Sequence, residues 1–283
     1  MRSGPRAGKI EKYHDSEEGE ISVHSPSTAL VCAAGSRRHR IRVYSSGRGV
    51  SEMNLRTVEM PRPRVKICCI ESAEEAHLAV RHGADALGLV SSMPSGPGVI
   101  PDSVIGDIAA TVPQGIETFL LTSRTRPGAI AEQFDRCATT TIQIVDWIGA
   151  TRLDELRKLR PQARLVQVIH VSGRDSVDRA IRVNDSVDAI LLDSGRPDVR
   201  ELGGTGRTHD WSVSREIVES VEVPVYLAGG LDSSNVVEGV ESVRPYGIDL
   251  CSGVRTSGAL DDSKLAELFR MLDTYGVAEP QAS

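Results

Sequence analysis

The chain has 283 residues, 40% of them hydrophobic and 25% charged, and a net charge of -6. That is an ordinary globular composition with room for one large domain or two small ones. Residues 1–64 hold 12 Lys+Arg against 7 Asp+Glu, a balance of +5, and the rest hold 21 against 32, a balance of -11. An acidic body lacks the basic face that a nucleic-acid partner needs. No run approaches the roughly 18 apolar residues of a membrane span, and no signal-peptide core is found. Five cysteines (Cys32, Cys68, Cys69, Cys137 and Cys251) and seven histidines form neither a disulfide framework nor a metal-ligand spacing. They read as reduced thiols in a cytoplasmic protein.

Residues 1–62 are polar, rich in Arg, Ser and Gly, and without sustained periodicity. They read as a disordered extension or as an over-extended start, since Met53 and Met60 lie just before the first strand. From Val65 onward, short apolar runs alternate with amphipathic stretches. Strands are predicted over 65–70, 86–90, 116–121, 141–145, 164–171, 188–193, 223–228 and 247–251. Helices are predicted near 72–82, 101–111, 127–136, 151–159, 175–183, 212–220, 234–243 and 262–272. Ser72-Ala73-Glu74-Glu75 has capping-box spacing, and Gly83 fits a helix stop. Eight βα repeats over 63–275, followed by a tail at 276–283, predict a single-domain (β/α)8 TIM barrel. A doubly wound sheet would have fewer strands or a dinucleotide fingerprint after the first.

In such a barrel the active site lies at the C-terminal ends of the strands. The first strand ends in Cys68 and Cys69. Side chains alternate along a strand, so Lys66 and Cys68 are expected to face inward and Cys69 outward against the helices. Cys68 is then either a small buried hydrophobe or a general base, its thiolate favoured by Lys66. Asp193 closes the apolar strand Ala189-Ile190-Leu191-Leu192. It reads as a capping or ion-paired residue, or as an acid raised by its apolar surround. Glycine-rich stretches follow strands six, seven and eight: Gly203-Gly204-Thr205-Gly206, Gly229-Gly230 and Ser252-Gly253. Either they make tight turns or they let backbone N–H groups approach a phosphate. His170 reads as a hydrogen-bonded packing residue, and Trp147 as a pocket wall or a cover on the rim.

From about Val65 to Leu272 the sequence resembles phosphoribosylanthranilate isomerase of tryptophan biosynthesis. The matching pieces are Lys66-Ile67-Cys68, Gly83-Ala84-Asp85-Ala86-Leu87-Gly88, Leu191-Leu192-Asp193-Ser194 and Gly203-Gly204-Thr205-Gly206. Asp210-Trp211, Leu227-Ala228-Gly229-Gly230-Leu231, Asn235-Val236 and Asp249 through Ser252-Gly253-Val254 complete the set. The resemblance implies an Amadori rearrangement of an N-linked phosphoribosyl amine without metal or organic cofactor. Cys68 would be the base that takes the C2′ proton, and Asp193 the acid that opens the ribose ring. Gly204, Thr205, Gly229, Gly230, Ser252 and Gly253 would hold the phosphate. The implied partner is a small phosphorylated molecule, bound by a monomer or homodimer. Four departures stand out. Cys69 replaces a usual glycine. The loop Met93-Pro94-Ser95-Gly96-Pro97-Gly98 has Pro97 where the family has a carboxylate-binding Arg. Val145 and Asp146 replace a usual His-Gly. Arg255 replaces a usual acidic residue. Arg124 is the first candidate to take over the substrate carboxylate, and Arg255 the second. If neither does, the same mechanism on another phosphorylated amino-sugar, or a non-catalytic phosphate-binding barrel, remains open.

Overall fold

The computed structural model describes residues 62–94, 96–194 and 209–275. All lie in one compact unit, Met60–Ser283. The extension read over 1–62, apart from Arg62, lies outside the described residues, as do the tail and the Gly203–Gly206 stretch.

Eight parallel strands close into a barrel in the order β1-β2-β3-β4-β5-β6-β7-β8, with β8 paired to β1. They are β1 Arg64–Ile67, β2 Ala86–Val90, β3 Glu117–Thr122, β4 Thr141–Ile144, β5 Arg164–His170, β6 Ala189–Asp193, β7 Val225–Leu227 and β8 Gly247–Leu250. The helices are α1 Ala73–His82, α2 Asp102–Thr111, α3 Pro127–Cys137, α4 Gly149–Leu159, α5 Asp175–Val183, α6 Trp211–Ser220, α7 Val236–Val243 and α8 Asp262–Thr274. Each predicted strand and helix is present, with ends shifted by a few residues. The largest shift is at β1, which stops at Ile67 rather than residue 70. Among the described residues, no helix is long and apolar enough to cross a membrane.

Alternation divides the core in two. Outward residues such as Ile67, Leu89, Leu120, Ile142, Ile190 and Ile248 pack against the helices, all fully buried. Burying each such side chain contributes about 1.5–3 kcal/mol. Inward residues fill a smaller cluster that includes Phe119, Val166, Leu191 and Tyr226. Local signals set the helix ends. The Ser72 side chain accepts from the Glu75 N–H at 3.3 Å, and the Gly83 N–H reaches back to α1 carbonyls. The box is only half made, however. The Glu75 carboxylate accepts from the Glu71 N–H at 3.1 Å rather than returning to Ser72. A short hairpin, β9 Arg255–Thr256 and β10 Ala259–Leu260, was not predicted. It follows a 3-10 turn, Ser252–Val254, and joins β8 to α8.

Candidate active site

A pocket opens where the strands end. Cys68, Gln143, Val168, Asp193 and Asp249 contribute to its lining, with Gly229, Gly230 and Ser252 from the loops after β7 and β8. Met93, Gly96 and Pro97 bring in the loop after β2. Among the described residues that line it, none is Arg or Lys.

Cys68 faces inward as alternation predicts. A notch in β2 makes room for it: a Cβ on Gly88 would lie 2.7 Å from the Cys68 Sγ and 3.0 Å from the Lys66 Nζ. Lys66 is fully buried and donates to Asp249 at 2.8 Å, with its ammonium 5.2 Å from the centre of the Phe119 ring. Burial pulls the Lys66 ammonium down, but the Asp249 carboxylate more than offsets this and leaves it raised. Lys66 is therefore a fixed positive charge below the thiol. The Cys68 thiol is held below the ordinary thiol range. A hydrogen bond from Cys69 is the largest cause; burial opposes it, and Lys66 favours the thiolate.

Cys69 departs from its expected outward position. Because β1 stops at Ile67, alternation no longer applies, and Cys69 takes the left-handed conformation at φ +61°. Its side chain turns to the pocket, with Sγ 2.8 Å from the Cys251 Sγ. Hydrogen bonds to Cys251 and Cys68, together with burial, push its thiol well above the ordinary range. Cys69 thus remains a neutral donor beside Cys68.

Asp193 ends β6 and lines the same pocket, its carboxylate accepting from the Ser194 N–H at 2.7 Å. His170 sits beside it in register on β5. The His170 Nε2 lies 3.2 Å from the Val145 carbonyl, and Nδ1 is buried without a partner among the described residues. Burial holds this imidazole below its ordinary pKa, so it is neutral, as expected of a packing residue.

The phosphate candidates divide. Gly229 (φ +87°) and Gly230 (φ +65°) both need left-handed backbone, which glycine adopts without a steric penalty. Asn235 stitches their loop: its Nδ2 donates to the Gly230 carbonyl at 2.8 Å, and its Oδ1 accepts from the Asp232 N–H at 3.0 Å. In the sequence Asn235 carries no mark of this role. Only the loop's fold shows that its amide matches two backbone groups. Ser252 also lines the pocket, and Gly253 follows it in the 3-10 turn. Gly204 and Thr205 lie outside the described residues.

Neither carboxylate candidate is brought to the pocket lining. The exposed Arg124 turns toward α3, its Nε donating to Gln133 at 3.1 Å. Arg255 is buried, and both of its Nη atoms are committed to Glu75 and to main-chain carbonyls. Trp147 is 39% exposed, with the Arg179 guanidinium 6.0 Å from its ring centre. It does not line the pocket.

Known proteins resemble this chain over the barrel. The family model for N-(5′-phosphoribosyl)anthranilate (PRA) isomerase matches residues 65–271. N-(5′-phosphoribosyl)anthranilate isomerase of Methanocella arvoryzae is 34% identical over 206 residues, covering 73% of this chain and 95% of that protein. Its counterpart in Haloferax volcanii is 36% identical over 207 residues, covering 73% and 90%. Among solved structures, phosphoribosyl anthranilate isomerase in complex with reduced 1-(o-carboxyphenylamino)-1-deoxyribulose 5-phosphate superposes with a TM-score of 0.61 at 25% identity. That match covers 75% of this chain and 98% of the other. The chain belongs to the phosphoribosylanthranilate isomerase family of tryptophan biosynthesis.

Proposed function

We propose that this barrel isomerises N-(5′-phosphoribosyl)anthranilate with Cys68 as general base and Asp193 as general acid. The observation that carries the assignment is the meeting of the two groups in one pocket, rimmed by the loops after β7 and β8. Asp193, as the general acid, gives a proton to the ribose ring oxygen. The C1′–O bond breaks, and the amine nitrogen lone pair forms the C=N bond of an open-chain iminium. The Cys68 thiolate then takes the C2′ proton. The electron pair of the broken C2′–H bond forms the C1′=C2′ bond, and the C=N π pair returns to nitrogen, giving an enolamine. Tautomerisation to the C2′ ketone, with a proton gained at C1′, completes the rearrangement. Lys66 contributes as a buried charge that favours thiolate over thiol. Gly229, Gly230, Ser252 and Gly253 bind the phosphate through backbone N–H groups and the serine hydroxyl. The enzyme works in the cytoplasm on this small substrate, without a nucleic-acid partner.

Loss of anthranilate-type fluorescence on adding freshly made substrate to the full chain tests the reading. General acid-base groups contribute roughly 10²–10⁴-fold each, so Cys68→Ala and Asp193→Asn are each expected to lose about that much. Either variant retaining parental kcat would remove that residue from the mechanism. A second reading, the same rearrangement on a phosphorylated amino-sugar without an aryl carboxylate, is favoured by the uncharged rim at Met93, Gly96 and Pro97. Under it, the folded parent turns over such a sugar but not phosphoribosylanthranilate.

A further inference from the structure

Three departures from the family pattern lie far apart in the chain: Cys69, the loop 93–98 and Arg255. The fold brings them into contact. Arg255 opens β9 and is 8% exposed. Its Nη1 and Nη2 donate to the two Glu75 carboxylate oxygens at 2.8 Å each. Nη1 also donates to the Gly258 carbonyl at 2.7 Å, and Nη2 to the Cys69 carbonyl. From another direction Gly98 closes on the same residue: a Cβ there would lie 2.6 Å from the Cys69 Cβ and 2.9 Å from its Cα.

Cys69 needs such containment. A non-glycine residue at φ +61° is strained, and the conformation persists only where surrounding contacts over-determine it. Its neighbours leave little slack. The Cys68 N–H donates to the Leu250 carbonyl at 2.7 Å, and the Ile70 N–H to the Gly88 carbonyl at 3.0 Å. Relaxation of Cys69 to negative φ would turn the Cys68–Cys69 peptide and carry the Cys68 thiol out of the Gly88 notch. An acidic residue at position 255 could neither donate to the Cys69 carbonyl nor tolerate Glu75 at this distance.

We infer that Arg255, clamped by Glu75, is a positioning residue: it holds the Cys69 carbonyl, keeps Cys69 left-handed and thereby aims the Cys68 thiol into the pocket. The inference rests on the reading of Cys68 as the base. It also explains why Arg255 is not the substrate's anchor, because both Nη atoms are already committed.

The test is a double-mutant cycle in the full chain: parent, Arg255→Met, Cys69→Gly and the double variant. Two quantities are measured, kcat and KM with phosphoribosylanthranilate, and the pH midpoint of Cys68 alkylation by iodoacetamide, followed by mass spectrometry. Misplacing a reacting group by about 1 Å costs about 100-fold. Arg255→Met is therefore expected to lower kcat by about 10- to 100-fold with KM little changed, and to move the alkylation midpoint. Glycine occupies positive φ without help, so the same substitution in the Cys69→Gly background is expected to cost only a few-fold. The lost Cys69 thiol is common to both members of that pair and cancels. Parental kcat and alkylation in Arg255→Met would overturn the inference, as would an equal penalty in both backgrounds. If Arg255→Met lacks native near-ultraviolet dichroism, Arg255→Lys replaces it, expected to fall between parent and full loss because lysine satisfies only one of the two partners. An inactive but folded parent would sink the proposed function alone, since the alkylation midpoints still decide whether Arg255 acts through Cys69.

Discussion

At the N-terminal end of the barrel, Asp85 accepts from the Val65 N–H at 2.8 Å, and Asp188 accepts from the Leu165 N–H at 2.7 Å. Arg157 pairs with Asp188 at 2.7 Å, and Glu117 stands between Arg64 and Arg164 at 3.3 and 3.1 Å. At the C-terminal end, Asp193 accepts from the Ser194 N–H at 2.7 Å, and three thiols converge. There Cys69 is left-handed, and the Gln143 Oε1 is buried without a partner among the described residues. The first end uses carboxylates to tie strand backbones and balance arginines. The second keeps its polar groups turned toward a pocket. The division is not complete, because the Tyr226 hydroxyl, Glu117 Oε2 and Arg64 Nε, at the paired end, are also buried without a partner among the described residues. What the contrast teaches is where the fold holds its stability and where it tolerates a strained residue among converging thiols. In barrels, loss at the first end should read as stability and loss at the second as activity.

Gly88→Ala is expected to have the larger effect. The added Cβ would have to displace the Cys68 Sγ, 2.7 Å away, or force Lys66 off Asp249. A shift of about 1 Å in the reacting thiol corresponds to about a 100-fold fall in kcat, with an overpacking cost of about 1–3 kcal/mol. Parental kcat with only a lowered melting temperature would show that the thiol position is not what limits turnover. Asp188→Ala is the reciprocal test. It strips an acceptor from a strand N–H and a partner from Arg157, at a cost of about 1.5–3 kcal/mol by analogy with other charge-assisted hydrogen bonds. For a barrel of this size that is roughly a 3–12 °C lower melting temperature. kcat/KM is expected to be unchanged, and a fall in turnover at temperatures where the variant is fully folded would break the contrast between the two ends.

The fold was legible because its signals are local. Apolar runs and amphipathic stretches alternate eight times, and Ser72 and Gly83 mark the ends of a helix at the expected places. Cys68 and Asp193 were legible because strand ends in a barrel point to one place. Cys69 was misread because alternation holds only while the chain is a strand, and β1 ends one residue before Cys68. The arginines were illegible for a different reason. The partner of Arg255 is Glu75, 180 residues away on α1, and the partner of Arg124 is Gln133 on α3. A loop cation carries no local mark of which carboxylate or amide will claim it. The Lys66–Asp249 pair spans 183 residues and was likewise visible only as two motif residues. The hairpin of β9 and β10 has two residues per strand, too few to show a period.

The smallest expected effect concerns pH and separates two roles of Cys69. If Cys68 acts as thiolate, turnover rises as pH rises through the pKa of that thiol, and the acid limb lies lower than an ordinary thiol would place it. The Cys69 thiol, held neutral, contributes by donating to Cys68. Cys69→Ala removes that donor, so the Cys68 pKa rises, the limb moves to higher pH, and turnover at neutral pH falls while the plateau at high pH is kept. Cys69→Ser restores a donor and is expected to return the limb toward its parental position. Lys66 still favours the thiolate in both variants, so the limb is not expected to reach that of an unperturbed buried thiol. Matching limbs in the alanine and serine variants would mean that the left-handed backbone, and not the hydrogen bond, is what Cys69 supplies. The strained end of the barrel would then act on Cys68 through Arg255 alone.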